Sequence, residues 1–390
     1  MSDELLEEVN ETLTKRIEPN LEAFLKHMLR IDASDVYITA GSPAVFRVAG
    51  VGHPAKTALT PDHIELMAAS LMSDAQLAEF RRVHEMNLVH AIGEGRFRVN
   101  VFRQRDATGM VVRMIKTKIR DLDALQVPPI IKEVSLSRRG LILVVGATGS
   151  GKSTLLAAMI NHRNETETGH IVTVEDPIEF VHEHKKCVVT QREVGGDTLS
   201  FGAALKSALR QAPDVILIGE VRDEETMQAA ITFAETGHLC LATLHSNNAN
   251  QAIERVLNFF PSERQHEILL QLSLNLRGII SQRLIPSLDG GRAACLEILL
   301  DTPRIRELIK AGEVDLVKEA MEQSAYEGCR TFDASLFDLV VAERINETEA
   351  LRAAESANNL RMRIDRWKQS GGVAIDDADD VPLRLVPRVY

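Results

Sequence analysis

The sequence predicts an α/β protein in which a mixed α+β region precedes a domain built on a parallel sheet. Residues 141–145 (LILVV) form an unbroken apolar run that opens directly on the glycine-rich turn GATGSGKST. Similar runs recur downstream at 171–174, 214–219 and 239–244, as expected for strands buried on both faces. The first third behaves differently: residues 96–102 (RFRVNVF) alternate apolar and polar side chains along a whole strand.

Composition narrows the function classes. A chain of 390 residues with 45% hydrophobic and 26% charged side chains has room for more than one globular domain and matches no collagenous or disulfide-rich class. Its net charge of −11 argues against a general binder of nucleic-acid backbone, which carries a clustered basic surface. Cys187, Cys240, Cys295 and Cys329 are scattered without a C-x-x-C pair, so neither a zinc knuckle nor a secreted disulfide framework is indicated. The start, MSDELLEEVNE, lacks the basic-then-apolar order of a signal peptide, and no apolar run approaches bilayer length.

In chain order, residues 5–30 carry apolar positions at helical spacing, interrupted by Pro19, and read as one or two helices. The period then shortens to that of strands at 35–39 and 44–48, separated by Gly41 and Pro43. Helices are expected around 61–71 and 75–83, with Asp62 in a first turn behind Pro61. The strand at 96–102 should pair with 110–115 across a turn at Gly109, presenting Arg96, Arg98 and Asn100 on one face. Taken alone, that face reads as the solvated side of a half-covered sheet. Residues 116–136, with Pro128 and Pro129, read as a linker.

The turn after the 141–145 strand is a G-x-x-x-x-G-K-S P-loop. Gly146, Gly149 and Gly151 allow close backbone approach to phosphate, and the flanking Ala147, Thr148, Ser150 and Thr154 complete the loop. Lys152 would reach the β and γ phosphates, and the Ser153 hydroxyl would ligate Mg²⁺. The second run ends in Glu175-Asp176-Pro177, at the strand end where nucleotides sit in open α/β sheets, although the same residues also fit a turn and helix cap. The third run ends in Glu220, a Walker B carboxylate that would hold Mg²⁺ through water. Two histidines bracket the fourth run: His245 stands at its carboxyl end, where a γ-phosphate could be sensed, and His238 at the opposite end. From Gln251 onward helical periods dominate, with further strands at 278–284 and 295–300. Residues 371–390 turn glycine- and aspartate-rich and read as an acidic tail.

The ordered series GATGSGKST, VTVEDPIEFVH, LRQAPDVILIGEVRD and ETGHLCLATLHS resembles the Walker A, Asp, Walker B and His boxes of secretion ATPases. Its order and spacing are similar to those of the type IV pilus retraction ATPases, the PilT/PilU family. The segment EAMEQSAYEGCRTFDASLFDLV and the extension after it point to the accessory PilU branch.

That resemblance implies a PAS-like N-terminal domain over 1–117, a linker over 118–137, a RecA-like P-loop ATPase domain with C-terminal helices over 138–370, and the tail over 371–390. It also implies ATP and Mg²⁺ as cofactors. By the same resemblance Glu175 orients the attacking water, Glu220 helps hold the metal and His245 senses the γ-phosphate. Arg98 and Arg113, with Arg96 beside them, match family arginines that reach toward that phosphate, which reverses the solvated-face reading. The implied partners are further copies in a homo-hexamer, an inner-membrane platform protein of the pilus and a paralogous retraction ATPase. The implied location is the cytoplasm, peripheral to the inner membrane, with no nucleic acid involved.

One departure stands out. Gln211-Ala212 precedes Pro213-Asp214 where family members carry an acidic residue. The departure and the PilU-like ending keep open a nucleotide-gated accessory subunit that hydrolyses little by itself, and a DNA-translocating RecA-like motor is the third alternative.

Overall fold

The computed structural model describes residues 20–370 apart from 49, 94, 116 and 117. Residues 5–19 of the expected first helix and the whole of the expected tail therefore lie outside the described residues. The chain divides into two compact units, one up to Ile119 together with Glu179–Val181, the other comprising the remainder.

In the first unit, α1 (Leu21–Arg30) starts at Asn20, whose side chain accepts the Glu22 N–H. Strands β1 (Asp35–Ile38), β2 (Pro43–Val48) and β3 (Val51–Ala58) follow. Helices α2 (Pro61–Ala69) and α3 (Asp74–Val83) both begin with capping boxes, at Thr60/His63 and Ser73/Gln76. Then come β4 (Glu85–Ile92), β5 (Gly95–Gln104) and β6 (Ala107–Ile115). The six strands form one antiparallel sheet in the order β3-β2-β1-β6-β5-β4. Alternation along β5 buries Phe97, Val99 and Val101 and leaves Arg96, Arg98 and Asn100 on the other face.

One expectation needs correction here. The β5–β6 turn is made by Arg105 and Asp106, both at positive φ (46° and 61°), as a two-residue hairpin requires. Gly109 lies inside β6 opposite Phe102, where an added Cβ would fall 2.8 Å from the phenyl ring. Its glycine serves close packing, not a turn. The polar edge strands β3 and β4 escaped the sequence reading because their faces are largely exposed and show no clean alternation.

The second unit includes most of the stretch expected as linker. Helix α4 (Ile130–Ser135) and Leu122 lie here, with Leu122, Ile131 and Val134 buried under the sheet that follows. That sheet is built from β7 (Gly140–Val145), β8 (Gly169–Glu175), β9 (Cys187–Glu193), β10 (Val215–Ile218), β11 (Leu239–Leu244), β12 (Leu276–Pro286) and β13 (Arg292–Leu300). Its order is β13-β12-β7-β11-β10-β8-β9, parallel throughout except for the β12–β13 hairpin. The runs read from sequence as doubly buried are so: every residue of β7, β10 and β11 is buried.

Helices cover both faces: α5 (Lys152–Thr166), α6 (Phe201–Ala208), α7 (Glu224–Glu235), α8 (Ala249–Asn258), α9 (Gln265–Asn275), α10 (Pro303–Ala311) and α11 (Val317–Gln323). Further along, α12 (Phe332–Val341), α13 (Glu347–Ala353) and α14 (Ala357–Gln369) enclose a separate small core against β12 and β13, around Phe332, Leu336 and Ile364. Because β8, β10, β11 and β7 run parallel, their carboxyl ends meet at one edge of the sheet, which is where an open α/β fold binds its ligand.

Candidate active site

The P-loop leaves β7 and becomes α5 within a few residues. Gly146, Gly149 and Gly151 adopt φ of +152°, +77° and +91°, conformations that L side chains rarely adopt. Two of these glycines are also needed for space. A Cβ at Gly146 would come within 2.5 Å of the Gln282 carbonyl oxygen, and one at Gly151 within 2.8 Å of Gln282 Nε2. Gln282, on β12, therefore lies against the loop, a neighbour the sequence reading missed. The Ser281-Gln282 pair does interrupt an apolar strand, but only the β12–β7 pairing reveals what it faces.

Lys152 opens α5 and is 9% exposed, its Nζ donating to the carbonyls of Gly146 (2.7 Å) and Ala147 (3.0 Å). These carbonyls hold the ammonium over the loop. Ser153 and Thr154 follow in the first turn of the helix, where the positive end of its dipole lies. Among the described residues, the Oγ of Ser150 and the Oε1 of Gln282 are buried with no hydrogen-bond partner. Unpaired polar atoms in a glycine-lined loop at a helix N-terminus fit a phosphate cradle.

Three strands away, Glu175 closes β8 and is 9% exposed. Its Oε1 accepts from Thr173 Oγ1 at 2.7 Å and Gln191 Nε2 at 3.2 Å. Both donors stabilise the ionised carboxylate. Gly219, at the end of β10, packs so near that a Cβ there would sit 3.1 Å from Glu175 Cα.

Glu220 comes next, two residues beyond the end of β10, the strand between β8 and β11. Its Oε1 lies 3.0 Å from His245 Nε2, and its Oε2 receives Arg222 Nη2 at 2.6 Å and Nε at 2.8 Å. Arg222 also reaches Asp176 Oδ2 at 3.4 Å. A single guanidinium thus ties the Asp-box turn to the Walker B carboxylate, a link the sequence reading did not include. With both Glu220 oxygens engaged by the protein, a metal is best held through a water, and an all-oxygen set of Ser153 and Glu220 suits Mg²⁺.

His238 has the structural role its position at the amino end of β11 demands. Its Nδ1 lies 3.1 Å from the Phe233 carbonyl and its ring packs edge-on to Phe233, closing the end of α7. Gln211 and Ala212 likewise stand before the amino end of β10, whereas the carboxylates lie beyond its carboxyl end. The departure seen in sequence therefore does not touch the site.

Arg98 and Arg113 stand on the sheet of the first unit as direct cross-strand partners in β5 and β6. Arg113 Nε donates to Asp35 Oδ1 at 2.8 Å, and this buried carboxylate raises the guanidinium pKa further.

A parallel sheet that brings a P-loop and two carboxylates to one edge defines the chain as a P-loop ATPase. It belongs to the Type II/IV secretion system protein family, whose pattern matches residues 10–371, and within it to the PilT/PilU branch. The chain is 48% identical to the type IV pilus ATPase PilU of Pseudomonas aeruginosa over 373 residues, covering 93% of this chain and 98% of that protein. It is 43% identical to the retraction ATPase PilT of the same organism, covering 84% and 96% respectively. Among solved structures, the pilus retraction motor PilT with bound ADP superposes with a TM-score of 0.83 at 38% identity, covering 88% of this chain and 99% of that one. The N-terminal domain followed by a RecA-like ATPase domain expected from sequence is the fold found here.

Proposed function

We propose that this chain is a Mg²⁺-dependent ATPase that works as a six-membered ring to drive or assist type IV pilus retraction. The observation that carries the proposal is the shared sheet edge, where the Lys152 cradle, Glu175, Glu220 and His245 follow β7, β8, β10 and β11.

In this reading the loop N–H groups and Lys152 bind the phosphates of ATP, and Thr148 and Ser150 shape the loop around them. Ser153 and Glu220 would hold Mg²⁺, which when bound neutralises charge on the β and γ phosphates. Glu175, fixed by Thr173 and Gln191, orients the attacking water along the line of the breaking bond. Its task is positional, because phosphoryl transfer gains mainly from placed charge and a placed water. His245 reads the γ-phosphate and passes its presence to Glu220 through their contact. Arg98 and Arg113 supply positive charge to the transferring group. A well-placed arginine contributes ~10³ to 10⁵ in rate, and arginines carried on a separate unit couple hydrolysis to motion.

The partners in this reading are identical copies, a platform protein at the cytoplasmic face of the inner membrane and a paralogous retraction ATPase. No helix among the described residues is long and apolar enough to cross a membrane, so a protein partner would hold the ring there. The accessory alternative keeps the motive of its PilU-like ending but loses that of Gln211 and Ala212, which lie away from the site.

The test is the ATPase rate of the purified chain beside Lys152→Ala, with electron microscopy of both in the presence of an ATP analogue. Six-membered rings and turnover that Lys152→Ala abolishes are expected. Normal hydrolysis by the variant overturns the assignment, and turnover near background in the unmodified chain returns the accessory reading.

A further inference from the structure

Beside the four boxes, β9 carries a side chain that touches two of the site's parts at once. Gln191 Nε2 donates to Glu175 Oε1 at 3.2 Å, while its Oε1 accepts the backbone N–H of His182 at 2.7 Å. The amide orientation follows from chemistry. A carboxylate oxygen accepts only from the NH₂ end and a backbone N–H donates only to the carbonyl end, so the two bonds fix each other. Two residues further along the strand, Glu193 Oε2 accepts the Ile178 N–H, so β9 braces the loop after Asp176 at a second point. Thr173, fully buried, donates to the same Glu175 oxygen from β8 itself.

We propose that Gln191 is a positioning residue for hydrolysis, holding the Glu175 carboxylate in the rotamer that orients water, and coupling that hold to the loop ending at His182. This rests on the reading of Glu175 as the water-orienting group. A flexible glutamate at a strand end would present its oxygens in many directions. Two donors converging on Oε1 leave one arrangement of the carboxylate plane, which is what a placed nucleophile requires.

The charge environment favours the same role. Glu193 stands opposite Glu175 in the β8–β9 register, Asp176 is its chain neighbour, and Arg222 answers Asp176 from beyond β10. His182, on the loop, is kept neutral by burial, its pKa pushed down to about 4. With acids both beside and across from Glu175, the amide and hydroxyl are donors that answer its carboxylate oxygen.

Gln191→Glu separates the two contacts, because a carboxylate can still accept the His182 N–H but cannot donate to Glu175. Expected are a fall in kcat of about tenfold to a hundredfold, an unchanged KM for ATP, and an acid limb of the pH–rate profile moved upward by about one unit, since two adjacent carboxylates share a raised titration. Gln191→Met, which cannot brace either partner, should lose at least as much rate. A pH profile of Gln191→Glu that superposes on the unmodified chain, or full kcat in both variants, overturns the proposal. Glu175→Gln distinguishes the underlying reading. If Glu175→Gln still hydrolyses ATP normally, the role of Glu175 fails. If it is inactive and Gln191→Glu adds nothing in that background, the pair acts as one unit. Independent, additive losses overturn the coupling while leaving the role of Glu175 intact.

Discussion

His245 Nε2 lies 3.0 Å from Glu220 Oε1, joining the ends of two adjacent parallel strands, β11 and β10. Glu220 therefore cannot respond to a metal without His245 being affected, and the reverse holds. Replacing His245 by alanine should lower kcat by about a hundredfold, the scale of losing one positioned donor. Both side chains are partly exposed, at 43% and 23%, so the melting temperature should move little. Loss of folding in place of loss of rate would mark the contact as structural.

In the proposed reading Arg222, paired with Glu220 Oε2, competes with Mg²⁺ for that carboxylate. Arg222→Ala frees Oε2, so the Mg²⁺ concentration for half-maximal ATPase should fall by about twofold to fivefold, the range of an exposed ion pair. Maximal rate should fall as well, because Asp176 and Glu220 are no longer tied together. Titrating Mg²⁺ against turnover at fixed ATP measures both effects, and a raised Mg²⁺ requirement contradicts the competition.

The two arginines of the first unit should differ in their side effects. Arg113 answers Asp35, which is buried, so Arg113→Ala should cost about 1 kcal/mol of stability in addition to rate. Arg98→Ala should reduce ATP turnover with a smaller change in melting temperature. Equal destabilisation by both would remove the special role of the Asp35 pair. Equal, unreduced turnover would remove both arginines from the reaction.

Two buried groups give opposed pH dependence. Glu297, buried in β13 with Oε1 accepting the Ala249 N–H, has its pKa raised by burial from 4.5 to about 7. Between those values the folded state holds a proton the unfolded state has released, so this group makes stability fall as pH rises. Burial lowers His182 from 6.5 to about 4. The unfolded state then binds the extra proton, so stability rises with pH across that range. Each contributes about 3 kcal/mol over its full window, and they largely offset one another between them. Glu297→Gln, which keeps an acceptor for Ala249, should raise the urea midpoint above pH 7 and expose a steep rise in stability from pH 4 to 6.5. A midpoint that tracks the unmodified chain at every pH would show that Glu297 does not titrate in this window.

Much of the fold was legible before any coordinates, for local reasons. A strand buried on both faces must be continuously apolar, so β7, β8, β10 and β11 announced themselves. A phosphate loop needs glycines where φ is positive, so Gly146, Gly149 and Gly151 marked the cradle. The edge strands β3, β4 and β9 were not legible in this way, since an edge exposes polar residues and loses its period. Gly109 shows the converse error: glycine signals a turn statistically, yet here it makes room for the Phe102 ring.

The sequence by itself thus determined the class of protein and its phosphate cradle, because those rest on neighbours within a few residues along the chain. Only the tertiary structure decided that Arg222 links Asp176 to Glu220, that Gln191 and Thr173 converge on Glu175, and that Gln282 lies against the P-loop. Those partners are distant in the chain or sit on strands whose order in the sheet is not their order in sequence. No period or local motif encodes which strand will lie beside which; that choice is made when the apolar faces of the whole sheet are buried together.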